Sequence, residues 1–306
     1  MEISKHLKQR FCKECGIPIA LFDEPFFSER IGLFDPFYDT VKKYDNFVKN
    51  LAVYSNEQEY FEEYNRVKED AINCIKSSAG YLKFNNEDMN LFKIPDQYKG
   101  ITSKAVYHPD NVGKSFISVD MKKANFTVLK TYDSSIFEAD TWEEFLGRFT
   151  KNGHIIESKY IRQVILGNCN PSRHITYMKY IMCKEIDEIE KRNHLLSKDR
   201  IVQISSDEIV YNVSDMSFEE ISEIVSSISY SDMLDYSGFK LLDVAGYAYI
   251  KQFVNGKRKI KCAETEFLPI IIRKLSGCDV HDTDLYFLFK GGNFTLQRCS
   301  GKIKII

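Results

Sequence analysis

Phe116-Ile117-Ser118-Val119-Asp120 and Val202-Gln203-Ile204-Ser205-Ser206-Asp207-Glu208-Ile209-Val210-Tyr211 are the two stretches on which the reading of this chain turns. Each is a short apolar run, rich in β-branched residues, that brings a carboxylate to the tip or turn of a buried strand. Two such strands side by side hold two acids at one edge of a sheet. That arrangement suits a pair of divalent cations about 4 Å apart, which carboxylates bridge, so Asp120 and Asp207 are the predicted metal ligands. Apolar runs ending in Asp also occur wherever a strand gives way to an ordinary turn. The two motifs alone do not decide between these readings.

The residues around them extend the pattern. Phe116 to Lys130, FISVDMKKANFTVLK, resembles motif A of the DNA polymerase I family (family A), in which a strand ends in Asp and a helix follows. VQISSDEIVYNV resembles that family's motif C. Upstream, Gly80-Tyr81-Leu82-Lys83 and Asn90-Leu91-Phe92-Lys93-Ile94-Pro95 resemble the T-G-R-L-S and N-L-Q-N-I-P stretches that precede motif A. Glu219 to Tyr249 is similar to the helix and strand that close the family's palm. Order and spacing agree over residues 36 to 250, which one motif alone would not achieve.

The resemblance implies an α+β fold: an antiparallel polymerase-type palm sheet with helices on one face, a helical thumb before it and reduced helical fingers inserted into it. The chain then divides into an N-terminal extension (residues 1–35), a thumb-like helical hairpin and connection (36–100), palm with motif A (101–132), reduced fingers (133–198), palm with motif C (199–260) and a C-terminal extension (261–306). It implies a nucleotidyltransferase that extends a nucleic-acid 3′ end by a two-metal mechanism, first of all a reduced DNA polymerase. An RNA-synthesising or template-independent terminal transferase, and a non-catalytic nucleic-acid-binding or assembly subunit, are the alternatives. The implied cofactors are two Mg2+ ions, with Mn2+ as a substitute. The implied partners are a DNA primer–template or other nucleic acid, nucleoside triphosphates, and another replication subunit supplying missing elements.

Residue by residue, the resemblance gives Asp120 and Asp207 the metals, with Glu208 beside them as a helper and Met121 offering its backbone carbonyl. Asn125 stands where the DNA-synthesising members carry the Glu that screens out ribonucleotides, which leaves sugar choice open. The stretch Ser158 to Pro171 is the nearest counterpart of the nucleotide-binding helix, with Arg162 in the Lys place, Leu166-Gly167 in the Phe-Gly place and Lys159 as a second cation. Asn168 to Arg173 reads equally well against a later helix start, N-x-P-x-Q-G-T. Lys83, Asn90, Lys122 and Arg173 fall on the nucleic-acid side, Arg173 with a plain surface role as its alternative. The span from Asp120 to Asp207 is about half the family's, so most of the fingers are expected to be missing.

Composition adds little to this. Lys and Arg number 42 against 44 Asp and Glu, so only a local positive groove can favour nucleic acid. Lys122 and Lys123, Lys159 and Arg162, and the run Lys257-Arg258-Lys259-Ile260-Lys261 are the places for one. The last reads either as a solvated turn around Gly256 or as a phosphate-contacting loop. No stretch reaches the roughly 18 continuous apolar residues of a membrane span, and Met1 to Arg10 is too polar for a secretory signal. The expectation is a cytoplasmic chain with reduced thiols and no membrane partner. Among its eight Cys, Cys12-Lys13-Glu14-Cys15-Gly16 has the knuckle spacing of many zinc sites. Cys278 and His281 would complete a Cys3His zinc site if the termini meet, and buried structural cysteines are the alternative.

Elements are expected as follows. Residues 1–35 read as a turn-rich segment packing through Phe22, Phe26, Phe27 and Phe34. Helical spacing runs from Phe37 to Ser78 with a break at Ser55-Asn56, either a thumb or an ordinary helical hairpin. Strand signals dominate from Ile101 to Val119, and a helix after Asp120 carries Ala124, Val128 and Leu129 inward. Asp140 caps a helix with Glu143 in the box position, and Trp142 anchors the core. Ser172 to Asn193 and Phe218 to Ser227 read as helices, and Phe239 to Phe253 as strands. The C-terminal extension holds a helix-like Phe267 to Leu275 and a hairpin signal at Gly291-Gly292-Asn293.

Overall fold

A computed structural model describes residues 3–98, 106–244, 246, 248–289, 292–299 and 302–304. The N-terminal segment departs from expectation, for it forms two helices, α1 (Lys5–Cys15) and α2 (Phe26–Tyr38). The Ser4 side chain accepts from the Leu7 amide to start α1, and Gly16, in the left-handed conformation, closes it. Pro25 stands just before α2, and Pro36 falls inside its end. The turn formers therefore mark helix ends rather than an irregular segment. Helices α3 (Thr40–Leu51) and α4 (Glu57–Ser77) follow, with Asn56 capping α4 through the Glu59 amide, so the break falls where the spacing placed it. A shorter α5 (Ala79–Asn86) comes next.

The strand signal from Ile101 shortens to β1 (Ser115–Met121). Residues 106–114 are turns and a single 3-10 turn opened by Pro109, while 99–105 lie outside the described residues. Five helices then separate β1 from the next strand: α6 (Ala124–Tyr132), α7 (Trp142–Leu146), α8 (Gly153–Glu157), α9 (Lys159–Gly167) and α10 (Pro171–Arg192). Thr141, not Asp140, caps α7, accepting from the Glu144 amide while the Glu144 carboxylate takes the Asp140 amide. Trp142 is fully buried, as expected of a core anchor.

Strands β2 (Ile201–Ile204) and β3 (Glu208–Asn212) form a hairpin, followed by α11 (Phe218–Ile228), β4 (Leu234–Val244), β5 (Ala248–Phe253) and β6 (Arg258–Lys261). These strands make one six-stranded antiparallel sheet in the order β2-β3-β1-β4-β5-β6. The turn expected around Gly256 joins β5 to β6, and Arg258 to Lys261 of the run Lys257 to Lys261 continue from it as an edge strand. Beyond it lie α12 (Leu268–Leu275), the pair β7 (Tyr286–Phe289) and β8 (Gly292–Thr295), and the pair β9 (Gln297–Cys299) and β10 (Lys302–Lys304). The hairpin expected near Gly292 is there, although residues 290 and 291 lie outside the described residues.

Side-chain alternation along β1 sets the two faces of the sheet apart. Ile117, Val119 and Met121 point with Ile209 and Tyr211 into the main core, which merges with the helices. Phe116, Ser118 and Asp120 point the other way. There Phe116, Val210, Phe239 and Leu241 close a small second core with Val106, each buried side chain contributing about 2 kcal/mol. The rest of that face is polar. On the helical face, a Cβ at Gly238 would stand 2.3 Å from Ile221 Cγ2, so the glycine allows α11 to lie flat on β4. The described fold is α+β with helices on one face of an antiparallel sheet.

Candidate functional site: an acidic cleft on the open sheet face

Pairing across three strands gathers the acids. Asp120 on β1 is the register partner of Glu208 on β3 and of Asp235 on β4. Directly paired residues share a face, so three carboxylates form a row across the open side. Asp207 arrives from the β2–β3 turn. Its carbonyl accepts from the Met121 amide at 2.8 Å, which ties the hairpin turn to the end of β1. Ser205 tightens that turn, with its hydroxyl 3.2 Å from Asp207 Oδ1 and accepting from the Glu208 amide at 2.9 Å. A cleft of about 500 Å³ opens over these groups, lined also by Ser118, Lys251, Phe253, Lys257, Lys259 and Lys261.

The carboxylates are not equivalent. Glu208 accepts from Ser118 Oγ at 2.6 Å and Gln203 Nε2 at 3.1 Å, and pairs with the buried Lys251 ammonium at 2.8 Å. Burial pushes the Glu208 carboxyl up, but the Lys251 charge and these hydrogen bonds outweigh it and leave it below its ordinary value. Desolvation lowers the Lys251 ammonium pKa against the pull of Glu208. Asp120 lacks such a partner. Desolvation in the cleft, then repulsion from Glu208 and Asp207, push its carboxyl up to about 6. Asp235 meets Lys122 at 3.5 Å.

The excess of negative charge at Asp120, which the Lys251 charge offsets only in part, is what a cation would neutralise. Among the described residues, no three His, Cys, Asp or Glu side chains converge as a complete metal shell. Cys12, Cys15, Cys278 and His281 form no such group among the described residues. Cys12 and Cys15 end α1, where burial pushes both thiols up to about 12. His281 instead meets Arg273, and the Cys278 thiol faces the Ser276 carbonyl.

The other predicted residues scatter. Met121 is buried and contributes through its backbone. Asn125 is half-buried in the first turn of α6, close behind Asp120 in sequence. Leu166 is fully buried because α9 turns Ile161, Ile165 and Leu166 inward together, which leaves it no face for a nucleotide. Arg162 is half-buried on α9 within the field of Glu143, the ion-pair partner of Lys123. Lys159 lines a separate pocket with Glu14, Lys43 and His154 that shares no residue with the acidic cleft. Lys83 is exposed near the Tyr132 ring, and Asn90 bonds to Asp88 in a 3-10 turn. Arg173 donates to the Phe84 carbonyl at 2.7 Å and to that of Glu87, fastening α10 to the end of α5.

Sequence reading passed over Asp235, Lys251 and the facing of Lys257, Lys259 and Lys261. A signal existed for Lys251, since a lysine inside the apolar run Ala248 to Phe253 needs a buried partner. Comparison of the chain with family models, with curated proteins and with solved structures gives no match.

Proposed function

We propose that the cleft is a nucleotidyl-transfer site, working as the palm of a reduced family A-like DNA polymerase. The observation that carries this reading is the pair Asp120 and Asp207, one at a strand end and one in the neighbouring hairpin turn, joined through the Met121–Asp207 hydrogen bond. Magnesium, or manganese in its place, would be held by these two carboxylates and would lower the pKa of a primer 3′-hydroxyl and neutralise the leaving phosphates. Sites of this kind use one or two carboxylates and leave other positions to phosphate and water. Glu208, fastened by Lys251, Ser118 and Gln203, holds the negative wall of the cleft in place rather than carrying a proton. The hairpin turn fixed by Ser205 orients Asp207. The short helical insertion between β1 and β2, together with Asn125, favours an RNA-synthesising or template-independent transferase as the second reading.

Extension of a labelled primer tests both, with and without template, offering dNTPs and NTPs separately with Mg2+ or Mn2+. Template-directed addition that Asp120→Ala and Asp207→Ala each abolish supports the polymerase. Addition without template supports the terminal transferase. Absence of addition by the wild type under every condition, or full activity in both variants, rejects the catalytic reading and leaves the nucleic-acid-binding subunit.

A further inference from the structure

Edge strands commonly carry lysine to discourage pairing with other chains. On β6, however, the lysines face the acidic cleft. Register places Lys259 opposite Lys251 and Lys261 opposite Tyr249, on the face that also holds Phe253. Lys257, just before the strand, lines the same cleft. Arg258 and Ile260 take the other phase.

None of the three β6-side lysines enters an ion pair among the described residues, whereas Lys251 is consumed by Glu208. Lys257 and Lys259 are exposed and Lys261 is half-buried. Phe253, half-buried at the end of β5 beside this row, lines the same cleft, with the Lys259 ammonium 5.3 Å from its ring centre. The cleft therefore has two electrostatic halves: carboxylates over β3, β1 and β4, and unpaired ammonium groups over β6.

We infer that Lys257, Lys259 and Lys261 form a phosphate track for a single nucleic-acid strand entering the acidic cleft, with Phe253 offering a stacking surface for a base. Alternate residues of a strand are roughly 6–7 Å apart. That separation resembles the spacing of successive phosphates along an extended strand and exceeds the spacing of phosphates within a triphosphate. A row of cations beside an aromatic ring is how single strands are held without regard to sequence. The shared chemistry is a phosphate anion, and spacing favours the strand over the free nucleotide. The inference rests on the nucleotidyl-transfer reading for the use of the track, but its test needs no turnover.

The test measures anisotropy of a fluorescein-labelled single-stranded oligonucleotide with the full chain in EDTA, over a series of salt concentrations. It compares the wild type with the triple variant Lys257→Ala/Lys259→Ala/Lys261→Ala and with Phe253→Ala, after thermal melts confirm that the variants fold. The triple variant is expected to bind about tenfold more weakly or worse, with the slope of log K against log salt reduced by about 2, as loss of three single-strand phosphate contacts requires. Phe253→Ala is expected to weaken binding about fivefold or more with the slope unchanged. An unchanged slope in the triple variant overturns the track, as does a wild type that binds no oligonucleotide. A triphosphate that loses affinity in the triple variant while the oligonucleotide does not would assign the lysines to the nucleotide and also overturn it. Binding that depends on the lysines in a chain that extends no primer would sink the catalytic reading and leave the track standing. Primer extension with binding that does not depend on the lysines would do the reverse.

Discussion

The Lys251 ammonium lies 2.8 Å from Glu208 Oε1, although β1 and β4 separate their strands in the sheet. A lysine three strands away reaches that carboxylate by lying extended across the open face. The pair therefore does two things: it neutralises one acid of the row and it links the two sides of the open face across β1 and β4. Asp120 is left without an equivalent partner.

Lys251→Met should destabilise the fold by about 3–5 kcal/mol, because it strands a largely buried Glu208 charge. Glu208→Gln in that background should recover much of the loss. Urea denaturation of both single variants and the double variant measures the coupling, and additive losses would show that the pair is not energetically linked.

Asp120→Asn should leave the fold as stable as the wild type or slightly more so, since it removes one negative charge from a row paired in register with Glu208 and Asp235. Nucleotide addition should nevertheless fall to background. Gain of stability with loss of activity is the pattern of a group kept for function. Melting temperature and primer extension on the same preparation check both halves. A large loss of stability would point to a structural role instead.

Asp120 should titrate near 6 without divalent cations, and added Mg2+ should move its titration lower. Carboxyl-carbon NMR reads this directly, and an Asp120 titration unaffected by Mg2+ would remove it from the metal site. Its effect on stability has a definite sign: the native state holds this proton more tightly, so the contribution is present at low pH and is lost as pH rises from about 4 to 6. The fully buried His174 slopes the opposite way, because burial lowers its pKa to about 4. Its neutral form favours folding above about 6.5, and on the order of 3 kcal/mol is lost as pH falls toward 4. His174→Leu should flatten that part of the stability profile.

Arg173→Ala should lower stability by about 1–3 kcal/mol, because the Phe84 and Glu87 carbonyls lose a charged donor. Nucleic-acid affinity and its salt slope should stay at wild-type values. A reduced slope would show that Arg173 also contacts phosphate.

Gly238→Ala should destabilise by about 1–3 kcal/mol, as the added methyl meets Ile221 and forces α11 off the sheet. Ile221→Ala in that background should relieve part of the cost. Chemical denaturation distinguishes this from a loss of strand propensity, which Ile221→Ala would not relieve.

The sequence by itself determined the local elements whose signals are contiguous. The short apolar run Phe116 to Val119 set a strand bringing Asp120 to its end, and apolar spacing placed α3, α4, α6 and α10 close to their observed bounds. Residues 5–38 escaped because Pro18, Pro25, Gly32 and Pro36 look like loop punctuation in a linear reading, whereas Pro18 follows α1, Pro25 precedes α2, Pro36 falls near the end of α2 and Gly32 lies inside it. Tertiary structure alone decided what the acids face. Asp235 and Lys251 reach Asp120 and Glu208 only through strand pairing and strand order, which depend on contacts between segments far apart in the chain. The same pairing turned Lys257, Lys259 and Lys261 into one side of the cleft, since a period of two says which residues share a face but not which face meets the site.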